Sequence, residues 1–123
     1  MDPMEGSNTL QEPASWHSRS YRRFRLEFPV RLKFRNGEST KEIDTVSKDL
    51  SVGGLLVRST LLIPEHTAVS IVLSVHGRES LRPVHLVGEG QIVRVEATAT
   101  GEPFALAIQC NAPVTELEEY LPS

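Results

Sequence analysis

The sequence contains few of the features that mark secreted, membrane-spanning or redox-active proteins. Cys110 is the only cysteine in 123 residues, so an intramolecular disulfide and a two-thiol redox motif are excluded. No apolar run approaches the ~20 residues that a membrane-spanning helix requires. Residues 1–15 carry acids but no lysine or arginine, and they lack the apolar core of a signal peptide. These absences predict a soluble cytoplasmic protein without membrane insertion.

Motifs for catalysis or metal binding are missing as well. None of the four histidines belongs to an HxH or HExxH motif. The chain has neither a GxSxG motif nor a βαβ pattern that could hold a Rossmann or P-loop nucleotide site. Cys110 lies at the end of a predicted strand, where a small buried side chain is the simplest interpretation. We therefore predict no catalytic residue, no metal and no enzymatic activity.

The chain also lacks the basic excess that is usual for DNA- or RNA-binding domains, because its formal net charge is -3. The charge is nevertheless uneven. Between positions 19 and 35 the only acid is Glu27, and the bases are Arg19, Arg22, Arg23, Arg25, Arg31, Lys33 and Arg35. A local basic patch on a mildly acidic chain indicates a compact anionic ligand rather than DNA or RNA.

The strongest pattern that is present is that of β-strands. Residues 24–34 alternate between polar and apolar side chains, and the apolar phase comprises Phe24, Leu26, Phe28, Val30, Leu32 and Phe34. Single-stranded nucleic acid is a weak alternative ligand. Its binding requires exposed aromatic rings on a basic groove, whereas Phe24, Phe28 and Phe34 are predicted to face the core. Asn36-Gly37 predicts a type I′ hairpin turn. Further strands are predicted at 38–47, 55–57, 69–75, 83–97 and 104–108. A bulge or sharp bend at Gly88 and Gly90 is predicted to switch the core-facing side of the strand at 83–97.

These elements predict an all-β fold of five or six antiparallel strands, either a small barrel or a sandwich. A short C-terminal helix is predicted over residues 114–121, because Leu117, Tyr120 and Leu121 would form one apolar stripe along it. Residues 1–16 contain too few large apolar side chains to offset their ordering entropy, so they are predicted to be a disordered tail. Residues 17–123 are then one domain.

Two short clusters could bind a ligand. Arg19 and Arg23 stand four residues apart, and paired guanidinium groups match phosphate oxygens and the O6/N7 edge of guanine. The alternative is a solvated charge run before an edge strand. In Asp49-x-Ser51-x-x-Gly54 the carboxylate could accept the N1–H and N2–H groups of guanine, and Ser51 could donate or accept. Gly54 could adopt positive φ or allow close approach of the backbone to a ligand. The alternative here is an Asx-type turn.

The two clusters at this spacing resemble the PilZ domain, the bacterial receptor module for the second messenger cyclic di-GMP. Residues 23–30 and 90–95 are similar to the family's first strand and a late strand, and the resemblance covers residues 19–111. It implies a six-stranded antiparallel β-barrel, in which the ligand often binds as a stacked dimer. Arg19 and Arg23 would hold guanine edges and phosphates, with Arg22 as an auxiliary phosphate contact. The base-binding residues would be Asp49 and Ser51, and Gly54 would have a backbone role.

The resemblance also implies a mechanism. Residues 16–23 would form a mobile arm that the two phosphates of cyclic di-GMP draw onto the barrel. The ordered arm would present a new surface to a downstream protein partner, so the signal would act in trans. No cofactor besides this ligand is implied. The alternative is a PilZ-like protein-interaction adaptor that binds no nucleotide.

Overall fold

A computed structural model describes residues 21–76, 82–98 and 103–122. It shows a closed barrel of six antiparallel strands in the order β1-β2-β3-β6-β5-β4. The elements are β1 (Pro29–Asn36), β2 (Ser39–Ser51), β3 (Gly54–Ser59), β4 (Ala68–Val75), β5 (Val84–Ala97), β6 (Phe104–Cys110) and a 3-10 helix (Thr115–Tyr120). The predicted all-β antiparallel barrel with a short C-terminal helix is confirmed. The predicted tail over 1–16 and the candidate residue Arg19 lie outside the described residues.

The core follows from the alternation in the strands. Val30, Leu32 and Phe34 are buried, whereas the residues between them are exposed. Leu117 of the 3-10 helix is only 2% exposed and belongs to the same core cluster, with Tyr120 and Leu121 packed against it. The helix therefore covers the barrel with the apolar stripe that the sequence predicted. Within the part of the chain that the structure describes, no helix has the length and apolarity to cross a membrane.

The first hairpin forms where predicted but with a different turn. Asn36 stays in β1 and pairs with Ser39, so Gly37 and Glu38 occupy the two central positions. Gly37 has a φ of 68°, whereas Glu38 is not among the described residues with positive φ. Positive φ at the first central position alone is the pattern of a type II′ turn rather than type I′. The glycine thus lies one position earlier in the turn than expected.

The predicted bulge at Gly88 and Gly90 is wrong. The pairing of β5 with β4 is unbroken from Val84 to Gln91, and the register shifts against β6 between Ile92 and Arg94. The core-facing phase changes there, because Ile92 is buried while the next core contact of β5 is Val95. A second bulge, which the sequence did not indicate, lies in β2 between Ser47 and Asp49.

Candidate functional site

The bulge in β2 determines which way Asp49 faces. Ser47 pairs with Val57 and Asp49 pairs with Leu56, so Lys48 is an extra residue without a partner across the strand pair. In unbroken alternation Asp49 would share the inward face of Ser47, which is completely buried. The extra residue reverses the phase and turns Asp49 outward, where its side chain is 18% exposed.

Residues 21–28 contain the end of the predicted arm and its continuation, and they run along β2 before β1 begins. We call the whole of residues 16–28 the arm from here on. Phe24 and Leu50 exchange backbone hydrogen bonds, and both N–H···O distances are 2.8 Å. Further along, the Ser47 hydroxyl accepts a hydrogen bond from the Phe28 N–H at 2.9 Å and donates one to the Leu26 carbonyl oxygen at 2.5 Å. Ser47 thus attaches the arm to β2 directly beside the bulge that orients Asp49.

Tyr21, the first described residue of the arm, packs against the turn between β2 and β3. The Tyr21 ring lies over Gly53, and a Cβ at position 53 would stand 2.7 Å from Tyr21 Cδ2. Only glycine leaves room for the ring at this distance. Neither residue was predicted to belong to the site, and the only available signal in the sequence was the Gly53-Gly54 pair. From Tyr21 onward the arm is therefore held against the barrel.

The structure brings together one residue from each predicted cluster. Arg23 Nη2 lies 3.6 Å from Asp49 Oδ2, and the Arg23 side chain is 42% exposed. Arg22 is placed differently, because its guanidinium carbon lies 5.1 Å from the centre of the Phe24 ring. It lines a groove with Glu118 of the 3-10 helix, away from Asp49. Of the candidate arginines that the structure describes, Arg23 alone forms an ion pair with Asp49.

Ser51 and Gly54 form the turn next to Asp49. The Ser51 hydroxyl accepts hydrogen bonds from the N–H groups of Gly53 and Gly54 at 3.2 and 3.1 Å, and it donates to the Gly54 carbonyl oxygen at 3.2 Å. Gly54 begins β3 and pairs with Gln109 of β6. Its φ is not positive, since Gly37 is the one glycine with positive φ in the described part of the chain. The two residues thus shape the turn that follows Asp49.

A cavity of about 390 Å³ opens on the outer surface beside this ion pair. Its lining residues come from the arm, the bulge and β3, and they are Arg25, Glu27, Lys48, Asp49, Leu56 and Arg58. Arg58 Nη2 donates to Glu27 Oε2 at 2.6 Å across the cavity. Arg25, Lys48 and Arg58 were not predicted as site residues. Their exposure on strand-like segments was visible in the sequence, but their convergence was not.

A family model, that of the PilZ domain, matches residues 17–121 of the chain. The chain belongs to the PilZ domain family. This assignment bears out the resemblance drawn from the two clusters, and it makes the chain a member of a family of cyclic di-GMP receptors.

Solved structures similar to this PilZ domain include a motility inhibitor and a domain from a cellulose-synthesising bacterium. The Bacillus subtilis inhibitor of motility, MotI or DgrA, superposes with a TM-score of 0.68 at 18% identity over 85% of this chain. This chain spans about half of that protein, 49% of its length. The PilZ domain of CeSA from a cellulose-synthesising bacterium superposes with a TM-score of 0.52 at 20% identity, covering 80% of this chain and 90% of that one. At these identities the similarity shows the fold. No curated protein sequence matches the chain.

Cys110 at the end of β6 gives a test of the barrel. Burial raises the pKa of its thiol from 9.0 to about 11. Because the thiolate is the reactive form, we expect iodoacetamide at pH 8 to modify the folded PilZ domain about 100-fold more slowly than the urea-unfolded chain. Mass spectrometry over a time course measures both rates. Equal rates would contradict the burial of Cys110.

Among the described residues no three or more His, Cys, Asp or Glu side chains are grouped to hold a metal.

Proposed function

We propose that this PilZ domain is a receptor for cyclic di-GMP and binds it on the outer surface of β2 and β3. The observation that carries the proposal is the Arg23–Asp49 pair, 3.6 Å apart, at the edge of the basic cavity. Guanine presents acceptors at O6 and N7 and donors at N1 and N2. A guanidinium matches the first set, and a carboxylate matches the second. The pair therefore offers both halves of a guanine-binding site.

The remaining candidates take supporting roles in this proposal. Arg19 would join Arg23 on guanine edges and phosphates. Arg22 would reach a phosphate only after leaving the Phe24 ring, so its role is auxiliary. Ser51 would contact a base by exchanging its hydrogen bond to the Gly54 carbonyl oxygen. Gly54 contributes through the backbone of the turn.

The proposed signal is ordering of the residues that precede Tyr21. The part of the arm from Tyr21 to Phe28 is already attached to β2 and to the turn between β2 and β3. Binding of two phosphates would neutralise Arg19 and Arg23 and draw residues 16–20 towards the barrel. The bound arm would then present a surface to a protein partner in trans. Slower hydrogen exchange in residues 16–23 on ligand addition is the expected sign of this step.

Isothermal titration calorimetry with cyclic di-GMP tests the proposal directly. We expect saturable binding with a dissociation constant well below ~100 μM, and the same titration gives the ligand stoichiometry. Cyclic di-AMP is the matched control, because it has the same phosphates but lacks the guanine edge. Absence of binding at ~100 μM cyclic di-GMP would refute the proposal, and equal affinity for cyclic di-AMP would refute guanine recognition.

A second candidate function is a protein-interaction adaptor that binds no nucleotide. The observation that favours it is the turn between β2 and β3, where the Ser51 hydroxyl makes three hydrogen bonds to the backbone. Asp49 is likewise paired with Arg23. The motif residues could therefore serve the fold alone. A pull-down in which the captured partners do not depend on cyclic di-GMP would support this function.

A further inference from the structure

We infer that Arg25, Lys48 and Arg58 form a phosphate-binding subsite that extends the candidate site beyond the motif residues. The identity of its ligand, a cyclic dinucleotide, rests on the proposed function. The subsite itself rests on the cavity that these three bases share with Asp49. In this arrangement Asp49 and Arg23 bind the base, and the three additional cations add phosphate contacts to those of Arg19 and Arg23.

The three bases reach the cavity from three separate segments of the chain. Lys48 is the extra residue of the β2 bulge and is exposed directly before Asp49. Arg58 lies two residues after Leu56 on β3, so both side chains face the outer surface. Arg25 belongs to the exposed phase of the arm. Convergence from three segments distinguishes this cluster from a solvated charge run along one strand.

Glu27 positions one of the cations. Its Oε2 accepts a hydrogen bond from Arg58 Nη2 at 2.6 Å, and the Arg58 side chain is 38% exposed. A guanidinium carries five N–H donors in a fixed plane. The contact with Glu27 therefore fixes the plane of the Arg58 guanidinium at the cavity. The other N–H groups of this guanidinium are placed to bind a phosphate. Glu27 is in this sense a positioning residue.

The charges around the cavity complement a ligand with two phosphodiester groups. Arg23 and the three subsite cations stand against the carboxylates of Glu27 and Asp49, a formal excess of two positive charges. Cyclic di-GMP carries two negative charges. Elsewhere on β2 the charges balance locally, as in the ion pair between Arg31 and Asp44 at 2.9 Å. A concentrated excess on a chain with a net charge of -3 indicates an anion site.

The cavity also contains an apolar surface. Leu56 is the direct cross-strand neighbour of Asp49 and lies half-buried on the outer face of β3. A base whose edge is bound by Asp49 can pack its face on this side chain. Arg58, further along the same face, is then on the side towards the phosphates. The outer surface thus presents the base acceptor Asp49 beside the apolar Leu56, with Arg58 as a phosphate donor two residues further along β3.

A series of variants that change only charge tests the subsite by calorimetry with cyclic di-GMP. We expect Lys48→Gln and Arg58→Gln each to weaken binding by about 3- to 10-fold, as for the loss of one favourable charge. Glu27→Gln keeps the size and a hydrogen-bond acceptor but removes a repulsive charge, so we expect binding to tighten by about 2- to 5-fold. Arg35→Gln is the matched control, because Arg35 is exposed at the hairpin end of β1. It should match the wild type.

The outcomes separate the subsite from the proposed function. Wild-type binding of cyclic di-GMP that is unchanged in all three variants overturns the subsite and leaves the function standing. If the wild type does not bind cyclic di-GMP, the proposed function fails, and pyrophosphate then tests the subsite in a ¹⁵N NMR titration. Amide shifts around Lys48 and Arg58 that disappear in a variant carrying both Lys48→Gln and Arg58→Gln support an anion site. Absence of such shifts in the wild type overturns it.

Discussion

We expect Asp49→Ala to weaken the binding of cyclic di-GMP by about 5- to 150-fold, as for a lost bidentate contact to guanine worth ~1–3 kcal/mol. Asp49 supplies an acceptor that arginine cannot supply, and the β2 bulge turns it outward beside Arg23. The substitution also removes the ion-pair partner of Arg23. Calorimetry measures the affinity, and a thermal melt verifies that the barrel is folded.

Asp44→Ala is the matched control for this prediction. Asp44 lies on the same strand and forms an ion pair with Arg31 at 2.9 Å, but it does not line the cavity beside Asp49. Its removal should leave the affinity for cyclic di-GMP unchanged. A similar loss in both variants would indicate a general effect on the barrel, because removal of a negative charge by itself favours an anionic ligand. Wild-type affinity in Asp49→Ala would contradict the assignment of Asp49 as a base-binding residue.

We expect Ser47→Val to lower the free energy of unfolding by roughly 2–4 kcal/mol, because two partly buried backbone groups lose their partner at ~1–3 kcal/mol each. Ser47 is completely buried, and its hydroxyl bridges the Phe28 N–H and the Leu26 carbonyl oxygen. Valine fills a similar volume but offers neither a donor nor an acceptor. Urea denaturation measures the change.

Ser70→Val controls for the effect of valine on a strand. The Ser70 hydroxyl is on the barrel surface, 3.4 Å from Glu89 Oε2, so we expect its loss to cost less than ~0.5 kcal/mol. Ser47 also joins the arm to the bulge, so Ser47→Val should weaken cyclic di-GMP binding as well. A Ser47→Val protein with wild-type stability would show that Ser47 does not hold the arm.

The barrel was largely predictable from local pattern. The alternation from Phe24 to Phe34 predicted the buried face of β1, and the structure buries Val30, Leu32 and Phe34. Local sequence could do this because successive side chains of a strand point to opposite faces. The local pattern was a less reliable guide at β-bulges, where one strand of a pair contains an extra residue. The two glycines of β5 suggested a bulge, yet the register shifts between Ile92 and Arg94.

The candidate site was predictable in part. The spacing of the two clusters led to Arg23 and Asp49, which the structure places 3.6 Å apart. It did not reveal that Arg22 packs on Phe24 or that Arg58 shares the cavity with Asp49. Each of these placements depends on contacts between segments that are distant in the chain, and no local pattern records them.

Residue type and alternation alone decided the class of fold, the core face of the strands and the chemistry available for guanine and phosphate. The direction in which the Asp49 side chain points was decided only by the tertiary structure. Alternation continued from Ser47 would bury its carboxylate, and one extra residue in the pairing of β2 with β3 turns it outward. The register that creates this bulge is set by packing of the whole barrel, because a slip of one residue would exchange every core side chain with a surface one. The meeting of Asp49 with the arm and with Arg58 therefore belongs to the tertiary structure.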